Sequence, residues 1–295
     1  MNTELVHFYS EGARLAGMLY LPDIPEPEGR RAGIVLCHGF TGIKENILPQ
    51  YAEAFAEAGL VALPFDYRGF GESDGQRGRL LWHEQVTDIR NAITYLSTRP
   101  EVDAQRLGLW GTSYGGALAP YAFALDDRVK ACAGQLGFSD GYGVVANRLP
   151  PEQIDSFRGM IEEDRRRRVL HNDPMYGDAM ALAGDPEMTA FFEEAAKTLP
   201  QLKNREILIQ FIDAHLEFSP ITVIHKKGNR PLLLIAAELD VVCPMDNYKE
   251  LYDKAPEPKK WVVFEKTRHF EFYEGEPAQR SAAEAVNFFK EYLGS

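Results

Sequence analysis

The feature that most constrains the fold of this chain is a repeated alternation of apolar runs and amphipathic segments. The run AGIVLCHG (32–39) is apolar throughout and ends in glycine, as expected of a strand buried on both faces. Comparable runs follow at residues 60–69, 106–111, 129–137, 231–239 and 260–267. Segments with apolar residues at helical spacing separate them. The pattern therefore predicts an α/β fold with a mostly parallel sheet and helices on both faces.

Two more strands, at residues 4–10 and 13–21, precede this pattern and meet at a turn, which brings the predicted sheet to eight strands. A Pro-rich link at residues 22–31 follows them. The helices are predicted at residues 46–58, 82–100, 115–125, 246–254 and 277–292.

The alternation stops between residues 139 and 227, where polar helical segments rich in Glu, Arg, Met and Phe take over. We therefore predict a core domain made of residues 1–138 and 228–295, with a helical cap (lid) inserted at residues 139–227. The run of four arginines at residues 165–168 follows three acidic residues, and we interpret it as a solvated helix face with local ion pairs.

Composition limits the environment and the partners of the chain. A net charge of −12 over 295 residues argues against nucleic acid or an anionic membrane as a main partner. No apolar run approaches the length of a membrane span, and the N-terminal residues lack the pattern of a signal peptide. Three widely spaced cysteines indicate reduced thiols, so we expect a cytoplasmic protein without a zinc site, and we leave a homodimer open.

The pentapeptide GTSYG (111–115) carries a candidate nucleophile, Ser113. It directly follows a predicted strand and directly opens a predicted helix, which is the setting of a nucleophile elbow. There the serine takes a strained backbone conformation, and the flanking glycines avoid collisions that a β-carbon would cause. By itself the motif is weak, and a glycine-lined packing turn is the alternative.

A serine nucleophile needs a base and an acid that orients the base. Two late strands end just before Asp240 and His269, which puts both residues on loops at the same edge of the sheet as Ser113. The chain order Ser, Asp, His differs from the orders in the chymotrypsin and subtilisin folds. Glu238 competes for the role of the acid. Of the other histidines, only His38 lies near a second candidate site.

Acyl transfer also needs hydrogen-bond donors for the oxyanion. We expect one to be the backbone N–H of Tyr114, which follows the nucleophile, and the other to be the N–H of Phe40 in the loop HGFTGIKEN (38–46). The stretch DYRGFGESDG (66–75) follows another strand. We interpret its Arg68 and its carboxylates as braces for the active-site loops, with direct substrate contact as the minority view.

The stretches HGFTG, DYRGFGES and GTSYGG, together with the late Asp240 and His269, resemble the α/β-hydrolase superfamily in type and order. The resemblance covers nearly the whole chain apart from the cap. It is closest to the serine esterases and to the acylaminoacyl-peptidase-like branch, and it implies an α/β-hydrolase fold with a helical cap.

These residues predict a carboxylesterase-like serine hydrolase that cleaves a small to medium carboxylic ester through an acyl-serine, with no metal or organic cofactor. Amide or C–C bond hydrolysis and acyl transfer by the same triad stay open, and a ligand-binding protein without turnover is the weaker alternative. The cap is rich in large apolar residues, from which we expect the substrate contacts to come; the candidates are Tyr142, Met160, Tyr176 and Met180.

Overall fold

The structure of the protein is a computed structural model, which describes residues 1–23, 30–148 and 150–294. The Pro-rich link predicted at residues 22–31 falls largely on residues 24–29, outside the described part. The first part of the chain supplies six strands and three helices: β1 (Asn2–Ser10), β2 (Ala13–Leu21), β3 (Arg31–Cys37), α1 (Leu48–Glu57), β4 (Val61–Pro64), α2 (Trp82–Ser97), β5 (Val102–Thr112), α3 (Tyr114–Leu125) and β6 (Val129–Gln135).

A mainly helical segment then interrupts the alternation. It consists of α4 (Gly141–Arg148), α5 (Pro151–His171), β7 (Tyr176–Asp178), α6 (Ala179–Ala183), α7 (Pro186–Thr198), β8 (Glu206–Leu208) and α8 (Gln210–Glu217). The chain returns to the sheet with β9 (Leu232–Ala237), α9 (Met245–Lys254), β10 (Lys259–Phe264) and α10 (Gly275–Leu293).

One sheet of eight strands organises the core, in the order β1-β2-β4-β3-β5-β6-β9-β10. The β1–β2 and β2–β4 pairings are antiparallel, and every pairing from β4 to β10 is parallel. The predicted eight-stranded, mostly parallel sheet is thus confirmed. In a parallel sheet the carboxyl ends of β3, β5, β9 and β10 reach one edge, where the loops that follow them meet.

Helices cover both faces of the sheet, as predicted. In β9, Leu232 and Leu234 face one hydrophobic cluster and Leu233 and Ile235 face the other, so the strand is buried on both sides. Helices α2, α3 and α9 pack against the first face, and α1 and α10 pack against the second. This two-sided burial explains why the strands read as continuous apolar runs rather than as alternating patterns.

The strand predicted at residues 60–69 is shorter in the structure, where β4 ends at Pro64. Proline has no N–H to donate to a neighbouring strand, and beyond it the pairing with β2 continues as an isolated bridge between Phe65 and Gly17. Gly69 and Gly71 both adopt positive φ, 80° and 49°, in a loop rather than a strand. Phe65 and Tyr67 are buried, with the Phe65 ring 5.8 Å from that of Phe8 on β1 and the Tyr67 ring 4.4 Å from that of His38.

The segment between β6 and β9 packs its aromatic side chains against loops at the carboxyl edge of the sheet. The rings of Phe211 on α8 and Phe40 after β3 are 5.1 Å apart, and those of Phe191 on α7 and Phe270 after β10 are 4.9 Å apart. For residues 139–227 the sequence predicts helical segments only, but in the structure β7 and β8 also pair as a small two-stranded sheet. The domain limits at residues 139 and 227 stay a prediction.

Each of the four arginines at residues 165–168 forms an ion pair with a nearby carboxylate. Three of these pairs are local and agree with the interpretation of a helix face with local ion pairs, whereas Arg165 pairs with Asp213 on α8. All three cysteines of the chain lie in the described residues, are buried and form no disulfide. No described helix combines the length and the apolar character required to cross a bilayer.

Candidate active site

Ser113 occupies a sharp turn between β5 and α3. Its φ of 57° and ψ of −124° are strained for a residue with a side chain and cost about 1–3 kcal/mol. A β-carbon on Gly111 would lie 2.1 Å from the carbonyl oxygen of Gly115, and one on Gly115 would lie 2.2 Å from that of Cys37. The two glycines are therefore required by close backbone contact, as expected for the nucleophile elbow.

His269 lies between Asp240 and Ser113. Its Nδ1 is 2.7 Å from Oδ2 of Asp240, and its Nε2 is 3.1 Å from Oγ of Ser113. Asp240 follows β9 and His269 follows β10, so the loops of neighbouring parallel strands bring the two together. The structure thus assembles the three residues that the sequence singled out, from positions 113, 240 and 269.

Asp240 is held in place by backbone donors. The N–H groups of Val242 and Cys243 each donate to its Oδ1 at 2.8 Å, which leaves Oδ2 for His269. The rival Glu238 is exposed and accepts a hydrogen bond from the N–H of Lys266 instead. The geometry therefore favours Asp240 over Glu238 as the residue that orients the imidazole.

The loop after β3 runs directly beside the nucleophile. A β-carbon on Gly39 would lie 2.9 Å from Cβ of Ser113, and Thr41 turns the loop with a φ of 52°. Phe40 sits between them, and neither its N–H nor that of Tyr114 has an acceptor among the residues that the structure describes. Both amides are thus available next to Ser113, as expected for oxyanion donors.

His38 is the histidine nearest to this loop. Its Nδ1 lies 2.9 Å from the carbonyl oxygen of Gly39, and its ring packs edge-on against Tyr67 at 4.4 Å. Burial lowers the pKa of His38 to about 4, so the side chain is neutral at physiological pH. Its contacts support the loop, whereas those of His269 reach Ser113.

An apolar cavity of about 110 Å³ opens at Ser113 and lies between the sheet edge and the inserted segment. Phe40, Tyr114, Phe138 and Val242 line it from the core. The inserted helices contribute a second set of mostly aliphatic and aromatic walls: Val144, Phe157, Leu182, Met188, Phe211 and Ile212. Such a cavity suits an apolar ligand group next to the serine.

Comparison with known proteins identifies the family. A family model described as "Serine aminopeptidase, S33" matches residues 28–276. This chain belongs to that family of α/β hydrolases. It is 35% identical over 290 residues to an uncharacterised 31.7 kDa protein of Escherichia coli encoded in the traX-finO intergenic region, with 97% of this chain and 98% of the relative covered.

Two more comparisons point to the same fold. The hydrolase is 26% identical to the polyketide transferase grgF of a Penicillium species, with 90% of this chain and 88% of the relative covered. The crystal structure of the α/β hydrolase GrgF from Penicillium sp. sh18 superposes with a TM-score of 0.86 at 24% identity, and each chain is covered completely. The predicted α/β-hydrolase fold is confirmed.

The four substrate contacts expected from the sequence do not line the cavity of the hydrolase. Tyr142 and Tyr176 are exposed, Met180 is buried in the hydrophobic core, and Met160 packs against that core from its edge. Amphipathic helices bury most of their large apolar residues in their own packing, and residue type alone does not show which face meets a neighbour.

Several residues that were not expected from the sequence do line the cavity, among them Leu182, Ile212 and His215. One available signal was the spacing on α8, because Phe211, Ile212 and His215 fall on one helix face at i, i+1 and i+4. His215 packs face to face with Phe211 at 5.4 Å and is a polar group in a mainly apolar wall.

The loop that follows β4 braces the loop that follows β3. Oδ1 of Asp66 accepts the backbone N–H of Lys44 at 2.7 Å, and Oδ2 lies 2.9 Å from Nζ of Lys44. Glu45 and Glu72 also contact this ammonium group, at 2.5 and 2.6 Å. Burial works against the charged form, but the three carboxylates outweigh it and raise the pKa of Lys44.

The same three carboxylates, of Glu45, Asp66 and Glu72, are close enough to one another to hold a cation. The ammonium group of Lys44 already lies among them, so the cluster is an internal ion-pair network. A second brace joins Arg68 to Asp88 through paired hydrogen bonds, the shortest 2.6 Å long. Both features support a structural role for residues 66–75.

Proposed function

We propose that the protein is a serine hydrolase that cleaves a carboxylic ester through an acyl-Ser113 intermediate. The observation that carries this proposal is the position of His269, whose two ring nitrogens contact Asp240 at 2.7 Å and Ser113 at 3.1 Å. Both distances fall in the range required for proton transfer from a serine to a histidine held by a carboxylate.

In this mechanism His269 removes the proton from Ser113 as Oγ attacks the substrate carbonyl. Asp240 fixes the imidazole tautomer with the proton on Nδ1 and stabilises the cation that forms. The N–H groups of Phe40 and Tyr114 bind the oxyanion, where one donor contributes roughly 3 kcal/mol. His269 then gives the proton to the departing alcohol, and a second nucleophile releases the acyl group by the same steps in reverse.

The cavity walls favour a substrate whose acyl part is apolar. Among the described residues that line this cavity, none carries a carboxylate that would pair with a free amino terminus. This argues against an aminopeptidase activity such as the family description names. We therefore propose medium-length aliphatic or aromatic acyl esters as the substrate class.

A fluorophosphonate probe tests the nucleophile directly, because its alkyl chain mimics an acyl group and its fluoride is a small leaving group. We expect labelling of the wild-type protein and none of Ser113→Ala, with hydrolysis of methyl octanoate lost in parallel. Ser97→Ala, on the exposed side of α2, is the matched control and should label normally. Normal hydrolysis by Ser113→Ala would refute the proposal.

Acyl transfer to another alcohol is the second candidate, since a relative that covers most of the chain is named a polyketide transferase. The two activities share the first half-reaction. They differ in the nucleophile that attacks acyl-Ser113.

A further inference from the structure

Two adjoining cavities meet at Ser113, and only one of them is lined by His269. The larger cavity, described above, contains Ser113 and Tyr114 but not His269. The second, of about 30 Å³, contains Ser113, His269, Thr112 and Tyr273. The side chains of Phe40 and Met188 line both cavities and mark the boundary between them.

The proposed mechanism assigns a different part of the substrate to each cavity. His269 Nε2 must give a proton to the leaving alcohol and later take one from the second nucleophile. Both must therefore lie within hydrogen-bond distance of that nitrogen, in the smaller cavity. The acyl chain, which needs no contact with His269, is left to the larger apolar cavity.

The smaller cavity has little room to widen. Phe191 of α7 stacks on Phe270 at 4.9 Å and approaches Tyr273 at 5.7 Å. Leu48 at the start of α1 also lines this cavity and is fully buried. One bound water needs about 10–15 Å³ of such space, so a cavity of about 30 Å³ fits water or a short alcohol without movement of its walls.

Hydroxyl groups line the part of this cavity next to His269. The Tyr273 hydroxyl is 3.4 Å from Nε2 of His269 and so lies beside the nitrogen that the leaving alcohol and the water must reach. It is also 3.0 Å from Oγ1 of Thr112, which accepts a hydrogen bond from Gln135 at 3.1 Å. Gln135 donates in addition to Tyr51, so the Tyr273 hydroxyl is anchored by a buried network.

We propose that the smaller cavity is a site for water or a short alcohol, and that Tyr273 positions the molecule bound there. The substrate class that follows is an ester with a large apolar acyl group and a small alcohol. The water oxygen attacks the carbonyl carbon of acyl-Ser113 while His269 takes the water proton. The bond from carbon to Oγ then breaks, Ser113 recovers the proton and the free acid leaves.

This proposal rests on the acyl-Ser113 mechanism, and a pair of isomeric esters tests it. Methyl octanoate and heptyl acetate have the same formula but carry their bulk on opposite sides of the carbonyl. We expect kcat/KM to favour methyl octanoate by roughly tenfold or more. Phe191→Ala should reduce this ratio by opening the smaller cavity, whereas Tyr252→Ala, on α9 and outside both cavities, should not.

The ratio of kcat/KM for the two esters is measured on one preparation, so it does not depend on the fraction of a variant that is folded. An equal or reversed preference in a wild-type protein that still reacts with the fluorophosphonate would overturn the cavity assignment and leave the nucleophile intact. Absence of labelling would instead overturn the acyl-Ser113 mechanism itself. Benzyl alcohol that outcompetes water for the octanoyl enzyme would also contradict the assignment and would support a transferase.

The role of Tyr273 is tested by Tyr273→Phe, which removes only the hydroxyl. The leaving alcohol in acylation and the water in deacylation both lie at Nε2 of His269, so both half-reactions lose a partner. For methyl octanoate, kcat and kcat/KM should both fall, roughly tenfold. The rate of fluorophosphonate labelling should change little, because its fluoride leaving group needs no alcohol bound in the smaller cavity. Tyr252→Phe on α9 is the control. A fall in the labelling rate equal to the fall in kcat/KM would refute this role.

Discussion

At the scale of single residues, the site depends on glycines that leave no room for a side chain as well as on the side chains proposed to act in catalysis. Ser113 has a positive φ, Gly111 lets the end of β5 approach the start of α3, and Gly115 lets the turn pack against the end of β3. The pentapeptide GTSYG predicted this close packing, because any residue other than glycine would place its β-carbon about 2 Å from a backbone atom. Tyr273 could not be found in the same way, because no local motif marks a hydroxyl that approaches His269 from one turn away.

Gly115→Ala tests the requirement for close packing. Its β-carbon would meet the backbone oxygens of Cys37 and His38, so we expect a loss of about 1–3 kcal/mol in unfolding free energy and lower ester turnover. Gly159→Ala is the matched control, because nothing lies within 4 Å of a β-carbon there and the position is inside α5. That variant should gain about 0.5–1 kcal/mol. If urea unfolding showed the same change in unfolding free energy for Gly115→Ala and Gly159→Ala, the explanation by close backbone packing at Gly115 would be contradicted.

At the scale of elements, the loops after parallel strands could be placed from sequence because the strands themselves were evident. The loops after β3, β5, β9 and β10 carry Phe40, Ser113, Asp240 and His269 to one edge. Their bracing was only partly predictable. Asp66 and Glu72 were expected to support the loops, but their partner, Lys44, lies in another loop and is buried only in the folded chain.

Lys44→Met tests how the two loops are held together. The variant leaves Asp66 buried without its cation, so we expect a loss of about 3–5 kcal/mol in unfolding free energy. The double variant Lys44→Met/Asp66→Asn should recover part of that loss, because it no longer contains a buried carboxylate without a cation. The exposed pair of Lys197 and Glu194 provides the control: Lys197→Met should change stability by less than about 1 kcal/mol. Equal losses for the two lysine variants would contradict the bracing role.

At the scale of the whole molecule, the cap and the sheet together create the two cavities that meet at Ser113. Both cavities take walls from the cap and from the sheet edge. The proposed preference for bulk on the acyl side is thus a property of how α6, α7 and α8 pack over the sheet edge. The cytoplasmic location, the homodimer and the exclusion of nucleic acid stay predictions.

Strand periodicity and parallel connections are visible in short stretches of residues, so the sheet, its helices and the chain order of Ser113, Asp240 and His269 could be predicted before folding was considered. The cap residues that face the serine could not be predicted in this way: Leu182, Ile212 and other residues line the cavity in place of Tyr142, Met160, Tyr176 and Met180. The physical reason is that an amphipathic helix specifies a buried face, but the partner of that face is set by packing between elements distant in the chain.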